Sequence, residues 1–582
     1  MGSLGIVLII ERSEIFLDSI IRVNLTDNNV TTEQVPEKYL MLGGRALTSQ
    51  IIVDEVEPTS SPLGKNNKIV IAPGLLGGTS ISSASRLSVG GKSPLTGGIK
   101  ESNAGGTFAY HLSRMNIKAI VVEGKSSSDK LQYLFIGKNQ VELHEWEKRD
   151  KGVFEASETL KGKYGDKSSI LTIGPAGERG YLSAGIAVTD PDGRPSRYSA
   201  RGGLGAVMGV KGLKAIVVEP ANLEGITYSD KEAFKAKAKE LNKIIREHPS
   251  TGEGLPKYGT AAVVARTSAL KGLPTRNFSQ GTFEDADKIG GEYLYELIQS
   301  RNGEGNSTHS CMPGCQIRCS NVFQDEKGKE IVSPLEYETI GLLGSNCGIG
   351  NLDDIARLNY ICNDIGIDTI EIGAAIAVIM DQGVIPFGDA RAAEQLLEDV
   401  RNDTLIGKVV AQGAHIAGTV FGSMRIPVVK GQAIAAYDPR AIKGFGVTYT
   451  TSPMGADHTA GPTLRADVIH TSPENQADAS RKAQVVTGIA DYTGLCMFAL
   501  IALGEHLDQL AELVSYRYGK KVNAENLLEK SEDMIKKETK FNLMAGLNAA
   551  HNRLPEFMKE EPIPEVGEVF DVPDAELDDL FK

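Results

Sequence analysis

Three cysteines within nine residues, Cys311, Cys315 and Cys319 in C-M-P-G-C-Q-I-R-C, limit what this chain can fold into more than any other stretch. The chain holds only six cysteines, so a cluster of three marks a metal or redox centre rather than a disulfide framework. As isolated small core residues they would be scattered, which is how free cysteine usually occurs. Spacings of four put the sulfurs on one side of a turn or short helix. Pro313 and Gly314 bend the first interval into a loop whose backbone N–H groups can face sulfide. A fourth thiolate has to arrive through folding, and Cys496 in D-Y-T-G-L-C-M is the candidate; four thiolates make one iron–sulfur cluster. Zinc is the rival occupant of such a site, although its usual motifs are paired C-x2-C units, which this stretch lacks. Of the remaining two, Cys362 sits in an apolar helical run and reads as packing.

A chain of 582 residues has room for about three to four domains. Its net charge of −13, with no basic stripe legible in the sequence, excludes nucleic acid and an anionic membrane surface as partners. The early run G-I-V-L-I-I is cut off at Glu11-Arg12, too short to span a bilayer or form a signal core. No membrane insertion is expected, and clustered free cysteines suit a reducing, cytoplasmic setting. Glycine is over-used, at 64 residues against about 7 per cent in an average chain. The glycines fall in pairs between apolar strands, as in G-L-L-G-G (74–78) and A-R-G-G-L-G (200–205), where backbone can approach a large ligand.

Residues 1–220 carry short β-branched runs between Gly, Pro and Ser turns, the pattern of a β-rich domain. The pattern repeats: I-K-A-I-V-V-E (117–123) recurs as L-K-A-I-V-V-E (213–219), and I-A-P-G (71–74) is echoed by I-G-P-A (173–176). Two similar half-sheets with approximate symmetry follow. Arg86 and Asn103 lie in small-residue loops that read as ligand-facing, and Arg194, Arg197 and Arg201 share a glycine-rich turn suited to phosphate oxygens. From 221 the texture is helical, giving a second segment, 221–420, and a third, 421–582. The acidic, Pro-rich tail from Glu560 reads as surface or partner-facing.

A second repeat pairs N-D-I-G-I-D (363–368) with D-Y-T-G-L-C (491–496). Both read as Asx-x-x-Gly loops opening a helix, whose N-terminus offers free N–H donors and partial positive charge to a polar ligand. One loop ends in Cys496, so a twofold ligand beside the cluster is expected.

Assembled, these pieces resemble the tungsten-dependent aldehyde:ferredoxin oxidoreductase family over nearly the whole chain. The resemblance rests on G-G-R (43–45), the 71–106 loops, R-G-G-L-G-A-V-M-G-V-K-G-L-K-A-I (201–216), the cysteine loop, E-Y-E (336–338), A-Y-D-P-R (436–440) and D-Y-T-G-L-C (491–496). It implies an α+β fold: a pseudo-symmetric β-sheet domain followed by two mainly helical domains enclosing a bis-pterin metal site. It implies tungsten held by two metal-binding pterins, a 4Fe-4S cluster on Cys311, Cys315, Cys319 and Cys496, and Mg2+ bridging the pterin phosphates. Arg86 would bridge cluster and pterin, Asn103 and the Tyr198 carbonyl would hold the magnesium, and Arg197 would share that loop. Asn363, Gly366, Asp368, Asp491, Gly494 and Leu495 would bind the pterins. Glu338, with Glu336 in reserve, and His458 in M-G-A-D-H-T-A-G would handle protons. The family commonly has C-x2-C in the first interval, where this chain has three residues, and an Asp where Asn363 stands. The implied activity is oxidation of aldehydes to carboxylic acids, with electrons passing to ferredoxin or a ferredoxin-like subunit and the chain acting in a homo- or hetero-oligomer. A class II benzoyl-coenzyme A reductase subunit shares the architecture and is the enzymatic alternative; an electron-transfer scaffold without tungsten is the other.

Overall fold

The structure, a computed structural model, describes residues 8–9, 18–220 and 225–582. Apart from the strand β1 (Leu8–Ile9), the run G-I-V-L-I-I and the Glu11-Arg12 that ends it lie outside the described residues.

The repeat in the sequence becomes two sheets with the same strand order. The first holds β2 (Ser19–Asn24), β3 (Asn29–Gln34), β4 (Ile69–Pro73), β5 (Leu87–Lys92), β6 (Ile99–Ala104) and β7 (Ile117–Glu123), ordered β3-β2-β7-β4-β5-β6. The second holds β8 (Leu131–Ile136), β9 (Gln140–Trp146), β10 (Ser169–Thr172), β11 (Ile186–Val188), β12 (Arg197–Ser199) and β13 (Leu213–Val218), ordered β9-β8-β13-β10-β11-β12 with β1 beside β9. The repeated strands occupy equivalent places: β7 runs parallel to β2 and antiparallel to β4, as β13 does to β8 and β10.

Alternation explains why the I-V-V core of the motif was duplicated. Ile120 and Val122 of β7, with Ile216 and Val218 of β13, enter one apolar layer between the sheets. Ala119 and Val121, like Ala215 and Val217, face outward, the two-residue period of a strand buried on both faces. Helices Gly44–Glu55 and Val153–Tyr164 cover those outer faces.

Each half-sheet then carries its own helical mass. Residues of 261–464 join Ala176, Tyr181 and Ala206 of the second half in one buried cluster, which includes Cys347 and Cys362 as packing. The outer face of the first half, the helix Lys231–Glu247, the cysteine loop and residues 485–541 form another. The tail departs from expectation: Ile563, Phe570, Val572 and Leu577 are buried in the first of these clusters, and Glu568 and Asp571 pair with the buried Lys443. Its apolar residues, widely spaced among charges, anchor it to its own chain. Among the described residues no helix is long and apolar enough to cross a membrane.

Candidate metal and cofactor site

Each Asx-Gly loop ends one helix before it opens the next element, so its Asx residue belongs to the helix before it. Asn363 lies in the last turn of the helix Leu352–Ile365, which Gly366 stops at φ 80°. Asp368 then caps the helix Thr369–Asp381, accepting from the Ile370 N–H at 3.0 Å. Asp491 lies likewise in the last turn of Gln476–Thr493, stopped by Gly494 at φ 83°. Only a short 3-10 turn, Met497–Ala499, and the four-residue helix Leu500–Leu503 follow Cys496. A left-handed glycine just past the last helical residue is a terminator, so the polar residue three positions earlier belongs to the preceding helix.

Each loop is seated on the matching half-sheet by the same kind of contact. The Arg86 N–H donates to the Gly494 carbonyl at 3.0 Å and the Cys496 N–H to the Ser83 carbonyl at 2.7 Å. In the other half the Gly185 N–H donates to the Gly366 carbonyl at 3.0 Å and the Asp368 N–H to the Ser183 carbonyl at 2.9 Å. The approach requires glycine at both seats: a Cβ on Gly74 would stand 2.0 Å from the Gly494 nitrogen, and one on Gly174 2.1 Å from the Ile365 carbonyl oxygen. Cys496 and Asp368 thus occupy equivalent positions, and only one side carries a thiol.

The four thiols come together from two segments distant in the sequence, the cysteine loop and the turn at Cys496. Cys311, Cys319 and Cys496 line one cavity of about 600 Å³, and Cys315 is buried with them, its sulfur accepting from the Ser83 hydroxyl at 3.3 Å. A Cβ on Gly105 would crowd the Cys311 sulfur at 3.2 Å. Hydrogen bonding to Cys315, together with burial, holds the Cys311 thiol well above its usual range, and the same bond draws Cys315 down to about 6. Burial pushes Cys319 and Cys496 up, with nearby Glu336 adding to the first and Arg86 opposing the second. Among the described residues no three such side chains converge on a single-ion position. Buried thiols that resist ionising, as Cys319 and Cys496 do, suit a cationic inorganic core, which supplies the charge that stabilises thiolate.

The cavity continues to a second chemical end. Glu338 accepts from the Ala436 N–H with one oxygen, at 2.9 Å; the other is buried, unpartnered and 3.6 Å from His458 Nε2. Burial raises the Glu338 carboxyl above its usual value, partly offset by His458. Glu336, two residues earlier, faces the sulfur side: it accepts from the Thr260 hydroxyl and stands 3.9 Å from Arg197. Glu336 is the extended residue that precedes the short helix Tyr337–Thr339 while Glu338 lies within it, which sends the two carboxylates to different walls. Asp457, beside His458, is buried, but Lys100 and Arg201 outweigh that burial and hold its carboxyl far below the usual range.

Arg86, Asn103, Arg197, Tyr198, Asn363 and Asp368 also line this cavity. Arg86 donates to the Asn103 side-chain oxygen, and the Tyr198 hydroxyl to the Asn363 carbonyl at 2.5 Å. Gly366, Asp491, Gly494 and Leu495 do not line it; Leu495 is in the apolar core, and Asp491 is held 3.3 Å from Arg45. Arg194 turns away from the expected phosphate turn to pair with Asp192 and Glu330. Sequence reasoning assigned no role to Lys100, Asp457, Arg45 or Glu538. Lys100 and Asp457 each sit within three residues of a chosen one, a signal that was there to use; Glu538 lies on an amphipathic helix and gave none.

A family model described as aldehyde ferredoxin oxidoreductase, N-terminal domain, matches residues 20–220, and one for its domains 2 and 3 matches residues 236–582. The tungsten-containing aldehyde ferredoxin oxidoreductases of Pyrococcus furiosus and Thermococcus kodakarensis are each 33% identical over 94% of this chain and 92% of theirs. An aliphatic sulfonate oxidoreductase, WOR-like subunit, of Pyrococcus furiosus is 26% identical over 76% of this chain and 75% of its own. Among solved structures, the active site complex BamBC of benzoyl coenzyme A reductase with 1,5-dienoyl-CoA superposes with a TM-score of 0.78 at 18% identity, covering 94% of this chain and 92% of that one, a likeness of fold. Since the matched domain models run through both half-sheets, both loops and all four clustered thiols, the chain belongs to the aldehyde ferredoxin oxidoreductase family.

Proposed function

We propose that this chain oxidises aldehydes to carboxylic acids at a tungsten bis-pterin centre, and that the electrons leave through a 4Fe-4S cluster to a ferredoxin or ferredoxin-like subunit. The observation that carries it is the single cavity of about 600 Å³ joining three of the clustered thiols to the Glu338–His458 pair. Cys311, Cys315, Cys319 and Cys496 would ligate the cluster. Arg86 would lie between cluster and pterin, and Asn103 with the Tyr198 carbonyl would hold Mg2+ near Arg197. The loops 363–368 and 491–496, with Asn363, Gly366, Asp368, Asp491, Gly494 and Leu495, would cradle the pterins, Asn363 and Asp368 being the members that line the cavity. The division into a β-rich domain (1–220) and two helical domains (221–420 and 421–582) would place one loop in each of the latter.

The reaction adds water to the aldehyde and releases a carboxylic acid, two protons and two electrons. When bound, the tungsten centre supplies the acceptor for that electron pair. Glu338 and His458 handle the protons. The Glu338 oxygen without a hydrogen-bond partner lies 3.6 Å from His458 Nε2, so it can take a proton from water while a ring N–H of His458 hydrogen-bonds the aldehyde oxygen. The Lys100–Asp457 pair fixes the turn that carries His458. Apolar and aromatic walls at Tyr437, Phe445 and Leu464 exclude bulk water from the reacting carbon.

Metal analysis of anaerobically purified protein, with an aldehyde and viologen-dye assay, tests the proposal. Tungsten, iron and aldehyde-dependent dye reduction are expected. A protein with iron alone would be an electron-transfer scaffold, and ring reduction of an aromatic thioester without aldehyde oxidation would replace this function with that of a benzoyl-coenzyme A reductase subunit.

A further inference from the structure

The chain is acidic overall, at net −13, yet the helix Lys231–Glu247 carries six basic residues against three acidic ones. Its apolar side, Phe234, Ala238, Leu241 and Ile245, is buried. Lys235, Lys239, Lys243 and Arg246, spaced four, four and three apart, form one stripe on the exposed side. Lys239 and Arg246 have no carboxylate within ion-pair distance among the described residues, and Lys243 reaches Glu247 only at 3.9 Å.

The helix that carries this stripe is tied to the cysteine loop through the segment 80–83. From the middle of the helix, the Asn242 side chain accepts from the Ser82 N–H at 2.7 Å and donates to the Ser80 carbonyl at 2.9 Å. The Ser82 hydroxyl accepts from the Gln316 N–H at 2.9 Å, and neighbouring Ser83 donates to the Cys315 sulfur at 3.3 Å. Inside the loop, Gly314, Gln316 and Arg318 are exposed, and a Cβ on Gly314 would meet nothing within 4 Å. The thiols therefore approach the surface beside a basic helix that is rigidly registered to them.

We propose that the exposed face of this helix, with Arg318, is the docking surface for an acidic iron–sulfur electron carrier, orienting it over the cysteine loop; this rests on the cluster assignment above. Opposite charge at a local patch steers encounter and fixes orientation even where the whole molecules repel, and its effect weakens with salt. A neutral or basic carrier would gain nothing from the stripe.

The test is binding of a purified acidic ferredoxin to the intact enzyme by calorimetry at low and high ionic strength, followed by aldehyde-dependent reduction of that ferredoxin and of a viologen dye. The triple variant K235E/K239E/K243E is expected to weaken binding and slow ferredoxin reduction at low salt by about tenfold or more, to flatten the salt dependence, and to leave dye reduction unchanged. A control triple, K138E/K148E/K167E, alters exposed lysines on the second half-sheet and changes net charge equally; it should leave binding near wild type. Equal weakening by both triples, or wild-type affinity and salt slope in the stripe variant, would overturn the proposal. The binding readout needs no turnover, so absence of dye-linked aldehyde oxidation would count against the enzymatic assignment and leave the docking surface to be decided by affinity.

Discussion

Substituting the two glycine seats separates the roles of the two loops. In Gly74→Ala the new Cβ would lie 2.0 Å from the Gly494 nitrogen and 2.2 Å from its Cα. Ordinary contact begins at 3.4 Å, so backbone must part from backbone by more than an ångström, with no flexible side chain to absorb it. Overpacking of a closed interior costs about 1–3 kcal/mol, which a chain of this size survives. The displacement falls two residues from Cys496, whose N–H is fixed to Ser83 at 2.7 Å, and so separates the fourth thiol from the other three. Gly174→Ala makes the matching clash, 2.1 Å from the Ile365 carbonyl oxygen, in the loop that carries Asp368 and no thiol. Purified anaerobically, the first variant should lose most of its iron and the spectroscopic signal of a reduced cluster while keeping its circular dichroism. The second should keep its iron and lose tungsten. Iron retained in full by the Gly74 variant, or lost equally by both, would refute the assignment of Cys496 to the cluster.

Other perturbations test the remaining parts. Glu338→Gln keeps an acceptor for the Ala436 N–H but cannot carry the proton; turnover should fall by about 10²- to 10⁴-fold with tungsten content unchanged, whereas Glu336→Gln should cost far less, and equal losses would deny the distinction. Arg45→Met strands the fully buried Glu538, which Arg45 holds at 2.7 Å, and should destabilise by about 3–5 kcal/mol, read as a lower midpoint of thermal unfolding. Arg45→Met with Glu538→Met should recover much of that loss, and failure to recover would show that the guanidinium is needed for more than pairing. Lys100→Met tests the Asp457 pair through pH. Because Lys100 and Arg201 depress that carboxyl in the folded state, its contribution is present above the unfolded value of 3.8 and lost as pH falls through the depressed one. The stability gap between wild type and variant should be widest near neutrality and narrow below about pH 4 as the variant's carboxyl protonates; a gap independent of pH would exclude the ion pair as its source.

The half-sheets were legible because strand alternation is local: each I-V-V run states which residues face inward, and repeating the run states that the arrangement occurs twice. The thiol cluster was legible for the same reason, three of its members being close in sequence. The loop geometry was not. An Asx three residues before glycine looks the same whether it ends one helix or precedes another, and the choice turns on a left-handed φ at Gly366 and Gly494 that any glycine can adopt. The tail misleads in the opposite way, since its average composition is that of solvated chain while four separated apolar side chains hold it in the core.

Charge was the least legible of all, and the reason is physical rather than statistical. A buried carboxylate survives only beside a cation, and here the cations come from the far end of the chain: Arg45 and Glu538 are 493 residues apart, Lys100 and Asp457 357. Each such residue looks in isolation like one more member of a solvated surface. The pairs also join the N-terminal sheets to the segment that carries Asp457, His458 and Cys496, so the same long-range contacts that hide these residues from sequence inspection set the proton-handling turn and the fourth thiol against the first three. A site built this way can assemble only after both halves of the chain have docked, and its integrity depends on pairings that no local motif would reveal.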